Sequence, residues 1–306
     1  MNIQSENNLS ERHKLYRSIL WMMGTLFSFS TMAIAVRELT STINSFEIVF
    51  LRTLVALIII IVIITFSGWK TISTKRLSLH MFRNTIHYIG NLTWIIGVGL
   101  IPLAQVFALE FSIPIWVAIF AVLFLKERLT IGKIIAIIFG FTGVLVILRP
   151  GLINIDQGSL AVLCAAFCFA SANVITKSLS KSDGPLTILF IMFAMQLPIS
   201  AIGAYFVWTT PMLIDWPWII LVGVMSLTAH YCMTRAISLA DVTIVIPIDF
   251  MRMPIIAIIG FYLYAEPYSI WIFLGAILIF AGNYFNVYYE RQNSQPQYFN
   301  RVTGTK

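Results

Sequence analysis

The chain has 306 residues, of which 59% are hydrophobic and only 11% charged, with a mean hydropathy of +0.88. A soluble chain carries about 25% charged residues, so an ordinary water-covered surface is excluded, and the apolar content excludes disorder. Three cysteines are too few for a disulfide scaffold, and the net charge of +7 is spread over loops rather than gathered into a nucleic-acid patch.

A membrane-spanning helix needs about 20 mostly apolar residues, each adding about 1.5 Å across about 30 Å of hydrocarbon. Ten stretches qualify: 16–36, 45–67, 80–100, 103–125, 131–148, 158–179, 185–208, 217–239, 242–264 and 269–289. The first follows a basic tail, residues 1–15, and Ala33-Ile34-Ala35 has the form of a cleavage site. No cleavage is expected, because the apolar run is too long for a signal peptide. The second span ends at Ser67-Gly68. Only Ile101-Pro102 divides the third from the fourth, with the proline supplying the turn. Arg149-Pro150-Gly151, Asp183-Gly184-Pro185 and Thr210-Pro211 punctuate the rest. A barrel would need strands of about ten alternating residues, whereas Leu54 to Thr65 is continuously apolar. The expected class is an all-α integral membrane protein.

With ten spans both termini share a side. That side holds Arg12, Lys14, Arg17, Lys70, Lys75, Arg76, Arg83, Lys126, Arg128, Lys133, Lys177, Lys181, Arg291, Arg301 and Lys306, the other only Arg37 and Arg149. Basic residues collect on the cytoplasmic side, so both termini are expected there.

Sliding the chain by 139 residues aligns 91–149 with 230–288 without a gap. Phe111 meets Phe250, Glu127 meets Glu266 and Gly143 meets Gly282. Leu125-Lys126-Glu127 and Tyr264-Ala265-Glu266 both end a span. Each half has five spans, an odd number, so the second half enters from the opposite side. Inverted repeats of this kind place substrate sites near the midplane between the halves. The expected division is a tail at 1–15, repeats at 16–149 and 158–289, and a tail at 290–306.

The stretch Ala104 to Trp116, then Leu125-Lys126-Glu127-Arg128-Leu129, then Gly140-Phe141-Thr142-Gly143-Val144 resembles the first EamA domain of the drug/metabolite transporter superfamily. Ala240-Asp241-Val242-Thr243, Ala265-Glu266-Pro267 and Gly275 to Gly282 resemble the second. Ser45 to Arg52 resembles a second-span motif ending in arginine. Within the superfamily, Ser45-Phe46-Glu47…Arg52 and Phe111-Ser112-Ile113-Pro114 are similar to bacterial S-adenosylmethionine uptake carriers. Those carriers have Pro-Tyr-Arg-Tyr in the ninth span, where this chain reads Pro247-Ile248-Asp249-Phe250-Met251-Arg252. The resemblance implies a ten-helix basket with spans 1–4 and 6–9 around a central cavity and spans 5 and 10 outside it.

Ionisable groups inside a span cost about 2.5–3.5 kcal/mol on insertion scales and are the default functional candidates. Glu110 and Asp249 occupy equivalent repeat positions. Spacing puts each about 10 Å deep from opposite faces, one above and one below the midplane. That suits a gate or a proton relay; the plainer alternative is neutralisation of arginines. Asp249 and Arg252 are i, i+3 and share a helix face, as a switchable pair or a permanent bridge. Arg52 lies too deep to snorkel and is expected to line the cavity, where it would hold a carboxylate or phosphate bidentately. Glu47 falls off that face and is expected to wet an outer vestibule. Arg83 and Arg235, near inner ends, are expected to snorkel. His230 and His87 are cavity or packing residues. Phe107, Glu110, Phe111, Pro114 and Ala118 share one face of the fourth span, as a stacking site for a planar cationic or zwitterionic molecule or as ordinary apolar packing or lipid contact. Cys164 and Cys168 lie one turn apart with no companions for a metal set.

No HExxH, GxSxG, P-loop or dinucleotide fingerprint occurs, so neither an enzyme nor ATP-driven transport by this chain alone is expected, and no cofactor or metal. The expected function is secondary transport of a small polar or zwitterionic metabolite, S-adenosylmethionine-like, with amino-acid or drug export as the alternative. The expected partners are that substrate and the lipid bilayer, with a coupling proton and a homodimer left open. A non-transporting scaffold would instead close Arg52, Glu110, Asp249 and Arg252 into ion pairs with no cavity between them.

Overall fold

The computed structural model describes residues 3–125, 130–149, 156–239, 249, 252–266 and 269–303, and every regular element among them is helical. In chain order these are α1 (Ile3–Leu39), α2 (Ser45–Ser67), a 3-10 turn (Trp69–Thr71), α3 (Leu77–Leu100), α4 (Leu103–Glu110), α5 (Ile113–Leu125), α6 (Ile131–Leu148), α7 (Gln157–Leu179), α8 (Pro185–Tyr205), α9 (Trp216–Leu239), α10 (Arg252–Tyr264) and α11 (Ile270–Thr303).

The ends of these helices follow local chemistry. The Asn44 side chain accepts from Phe46 N at 3.1 Å, and Glu47 reaches back to Asn44 N at 3.2 Å, a capping box that opens α2. Asp156 opens α7 by accepting from Ser159 N at 2.6 Å. α2 closes on Gly68, whose φ of 92° few other residues adopt. Helix extends into both of the expected tail segments. α1 starts at Ile3 and α11 runs on to Thr303.

Among the described residues, seven segments are long and apolar enough to cross a membrane. α3 joins them although it carries His80, Arg83, Asn84, His87 and Asn91. With α10 and α11, and α4–α5 counted as one interrupted crossing, the protein has ten transmembrane helices. The interruption departs from the continuous helix expected over 103–125. Pro114 lacks the N–H that Glu110 O would receive. The chain turns at Phe111-Ser112, where Ser112 bonds Leu109 O through both its N–H (3.0 Å) and its hydroxyl (2.7 Å). The repeat counterparts of that turn, residues 250 and 251, lie outside the described residues, as do Lys126 and Glu127.

The inverted repeat is visible in burial. Residues 36–47 match 176–187 in exposure class one for one, and the match runs on unbroken to 60 and 200. The offset is 140 here, one more than in the later helices. The packing repeats as well. α1 lies along α9 and α3 along α7, which is one contact made twice, while α2 on α8 and α6 on α11 are each their own mate. The last seam is backbone on backbone. A Cβ on Gly143 would come within 2.5 Å of Gly275 O, and one on Gly275 within 2.5 Å of Gly143 O.

The apolar core is lopsided. The large cluster, including Val36, Leu39, Ile43, Val98, Ile101, Leu103, Leu148 and Ile219, sits at the end of the bundle opposite the termini. The terminal end holds only small clusters around Ile60, Ile64 and Phe193 and around Met22 and Ile237.

Candidate functional site

The helices part around a cavity of about 950 Å³, its open mouth included. Its polar wall is one stripe of α3, where Arg83, His87, Asn91 and Trp94 recur at helical spacing. α7 faces it with Phe169, Asn173 and Thr176, α9 with His230, Met233, Thr234 and Ile237, and α1 with Phe29 and Met32. Glu110, Phe111, Ile113 and Pro114 come from the broken fourth crossing, Asp249 and Arg252 from the ninth. The resemblance implied eight lining spans. Here α2 and α8 contribute no lining residue, because they pack on each other behind the wall. α6 and α11 stand outside, as implied.

Arg252 organises the deep end. It is 2% exposed, and its Nη2 donates to Glu110 Oε1 at 2.9 Å and to Asp249 Oδ2 at 2.8 Å. Glu110 Oε2 accepts from Trp94 Nε1 at 2.9 Å. The guanidinium lies between two aromatic faces, 4.6 Å from the Phe107 ring centre and 5.1 Å from that of Phe29. The two repeat-related acids are therefore not separate along the membrane normal in their contacts, whatever their depth along each helix. They meet on one nitrogen, because two carboxylates near the pseudo-symmetry axis share the one cation between them. Asp249 Oδ1 is buried without a protein partner among the described residues.

The shared face expected on the fourth span is split by the turn at 111–112. Glu110, Phe111 and Pro114 line the cavity, Phe107 is fully buried against Arg252, and Ala118 is buried elsewhere. Arg52 is 1% exposed and stands behind the wall, not in it. Its Nη1 donates to Asn91 Oδ1 at 2.9 Å, and Asn91 Nδ2 lies 2.8 Å from His87 Nδ1. Gln196 Nε2 lies 3.0 Å from the same ring nitrogen. His230 lines the cavity with its ring edge on Phe29 and 5.0 Å from the His87 ring centre. Arg83 does not snorkel to water. It is buried in the wall, with Nε on Thr176 Oγ1 at 3.1 Å and Nη1 on Asn84 Oδ1 at 2.9 Å. Arg235 lies 5.8 Å from the Trp21 ring centre. Glu47 wets no vestibule: it is fully buried and accepts from Thr209 N as well as capping α2.

At the end opposite the termini, Arg37 donates to Val98 O, to Ile101 O at 3.1 Å and to Glu266 Oε1 at 3.1 Å. Glu266 Oε2 accepts from Leu103 N at 2.8 Å, and Tyr264 donates to Glu38 at 2.8 Å. Burial pushes the Glu266 carboxyl above its ordinary range, outweighing the Leu103 N–H and Arg37. At the terminal end His80 Nε2 bonds Asp183 Oδ2 at 2.8 Å. Burial would raise the Asp183 carboxyl, but hydrogen bonds from His80, Thr74 and Ser182 prevail and hold it below the usual range.

The EamA-like transporter family matches this chain over residues 16–149 and 156–288. An S-adenosylmethionine uptake transporter of Rickettsia bellii is 25% identical over 272 residues, 89% of this chain and 94% of the relative. A riboflavin transporter of Brucella anthropi is 30% identical over 262 residues, 82% of this chain and 90% of the relative. One solved crystal structure superposes with a TM-score of 0.67 at 15% identity, covering 90% of this chain and 98% of that one, a likeness of fold. The broken, inverted ten-helix bundle around a charged cavity thus comes with a sequence match across nearly its whole length, and the chain belongs to the EamA-like transporter family within the drug/metabolite transporter superfamily.

Proposed function

We propose that this membrane transporter is a secondary carrier of the inner membrane that moves a zwitterionic organic metabolite, S-adenosylmethionine-like, by alternating access between its two repeats. The observation that supports it best is a cavity sealed by apolar packing at one end and lined deep inside by the Glu110–Arg252–Asp249 cluster. In this reading both termini are cytoplasmic, and the cavity faces inwards. Substrate reaches Arg252, His230, Glu110 and Phe111 directly. Phe107 holds the arginine from behind, and Arg52 acts through Asn91. Binding a cationic group near Asp249 Oδ1 would loosen the arginine's hold on the two acids, and the halves would rock about the α6–α11 seam. Glu110 and Asp249, sharing one cation, are also the pair on which a coupling proton would sit.

A scaffold would have closed ion pairs and no space beside them. Here Arg252 is paired, Arg52 meets no acid among the described residues, and the cavity lies next to both. Riboflavin, carried by the Brucella relative, is the second substrate to try, since Phe29, Phe111 and Phe169 offer rings for a planar molecule.

Proteoliposome counterflow with labelled metabolites, with and without a pH gradient, tests the reading. Wild type should exchange at least one member of the panel. Glu110→Gln should slow that exchange at least ~10-fold, because removing one partner of a buried ion pair costs about 3–5 kcal/mol. Exchange by Glu110→Gln and Asp249→Asn at the full gradient-driven rate would end the proton role.

A further inference from the structure

We infer that the terminal half of this cavity is a carboxylate site, built on Arg83 with Arg52 behind it, and that substrate binds with its acid group towards the terminal end. The inference rests on the transport reading above and adds the substrate's charge and its direction in the cavity.

The argument starts from charge balance. Two acids, Glu110 and Asp249, line the cavity, and both are bonded to Arg252 at its deep end. Two further arginines are buried close by, Arg83 in the wall at 4% exposure and Arg52 behind it at 1%. Among the described residues neither has a carboxylate partner. Arg83 spends Nε and Nη1 on the neutral oxygens of Thr176 and Asn84. Arg52 spends Nη1 on Asn91, and its Nε and Nη2 are buried with no partner among the described residues. A buried cation without a counter-ion is penalised by several kcal/mol, and orphaned buried donors add to that.

The neighbours supply no anionic acceptor among the described residues: the one acceptor left unpartnered beside His87, Gln196 Oε1, is a neutral amide oxygen. His87 Nδ1 sits within bonding distance of the amide nitrogens of both Asn91 and Gln196. An acceptor at Nδ1 leaves the ring's proton on Nε2. His230 Nε2 is buried in the same wall without a partner among the described residues. The region therefore offers N–H donors and positive charge and lacks one thing, an anionic acceptor. One carboxylate group beside Arg83 and Arg52 would balance the two acids and three arginines. A guanidinium grips a carboxylate with two N–H groups. Along α3, Arg83 and Trp94 are about 16 Å apart, so a ligand that touches both ends is elongated, with its acid at Arg83 and any cation at Asp249 Oδ1.

The test uses the purified full-length protein in lipid nanodiscs, with ligand-induced thermal stabilisation and equilibrium binding as readouts. The probes are S-adenosylmethionine, its decarboxylated form, riboflavin and inorganic phosphate. Wild type should prefer S-adenosylmethionine to the decarboxylated form by at least ~30-fold, the low end for truncating one partner of a buried hydrogen-bonded charge pair. Arg83→Gln should erase that preference by weakening only the carboxylate form, and Arg83→Lys should restore part of it. Without ligand, Arg83→Gln should melt no lower than wild type, because an unbalanced buried charge has gone. That result separates a ligand site from a structural arginine. Equal binding of the two forms by wild type, or equal loss of both in Arg83→Gln, overturns the carboxylate site while transport still stands. Competition by millimolar phosphate assigns the site to phosphate and overturns the carboxylate. Tighter binding of neutral riboflavin than of either form overturns it too, and failure of every solute to exchange in counterflow removes the transport reading together with it.

Discussion

Arg37 and Lys177 hold the same place in the two repeats and do the same thing at opposite ends of the bundle. Arg37 donates to Val98 O at the end of α3, and Lys177 Nζ donates to Ile237 O, 3.0 Å away, at the end of α9. Beyond that shared contact the ends differ. Arg37 goes on to Glu266, which takes the first N–H of α4, and the largest apolar cluster packs beneath it. The Lys177 end has only small clusters and opens into the cavity. One architecture, duplicated, is thus latched at one end and parted at the other. The latch is an acid on the loop after α10 that ties α1 to the start of α4.

The α6–α11 seam serves both ends, so breaking it should have the largest effect. In Gly275→Leu a side chain meets Gly143 O, and overpacking against immobile backbone costs about 1–3 kcal/mol or more. The yield of monodisperse protein should collapse, with both ends affected alike. Glu266→Ala should come next. It takes the carboxylate from Arg37, which keeps Val98 O and Ile101 O, and leaves Leu103 N without its acceptor, and each charge-assisted bond is worth about 1.5–3 kcal/mol. In a background without the native cysteines, labelling of Leu103→Cys should speed up at least ~10-fold, the effect of losing one such bond.

Glu266→Gln sharpens the same point through pH. The folded carboxyl is raised, so the closed end binds the proton more tightly than the open one. Closure is then favoured at low pH and weakens as pH rises through the raised value. The glutamine variant should stay closed and lose that dependence, seen as a flat labelling profile.

Asp183→Asn probes the terminal end. Its carboxyl is depressed, so it stabilises the fold above the ordinary carboxylate range and ceases to as pH falls through the lower folded value. The variant should melt lower at pH 7, and the two melting curves should converge below about pH 3.9. Lys177→Met should matter least in this state, since among the described residues its side chain holds a single hydrogen bond, to Ile237 O.

Much of this was legible in the residues. The ten crossings, the inversion and the Asp249–Arg252 pair follow from apolar run length, an odd span count and i, i+3 spacing. What escaped was relational. Pro114 was weighed as a member of a face, whereas its missing N–H breaks that face at Phe111-Ser112. Glu110 and Asp249 were placed by depth along separate helices, which says nothing of the arginine that joins them laterally. Arg83 and His87 read singly as a snorkelling arginine and a packing histidine, yet with Asn91 and Trp94 their spacing along α3 makes the cavity's polar wall. Glu47 looked like an exposed acid because its partner, Thr209 N, is 162 residues away.

The alternating claim is most directly tested by two pairs of spin labels at repeat-equivalent, exposed positions, Ser41 with Tyr262 and Lys181 with Leu123. Distances would be measured by electron–electron resonance in nanodiscs, with and without a transported solute. The account predicts that the Ser41–Tyr262 distance lengthens as the Lys181–Leu123 distance shortens, in one shared equilibrium. Two distances that stay fixed, or that rise and fall together, while the protein still transports would contradict it.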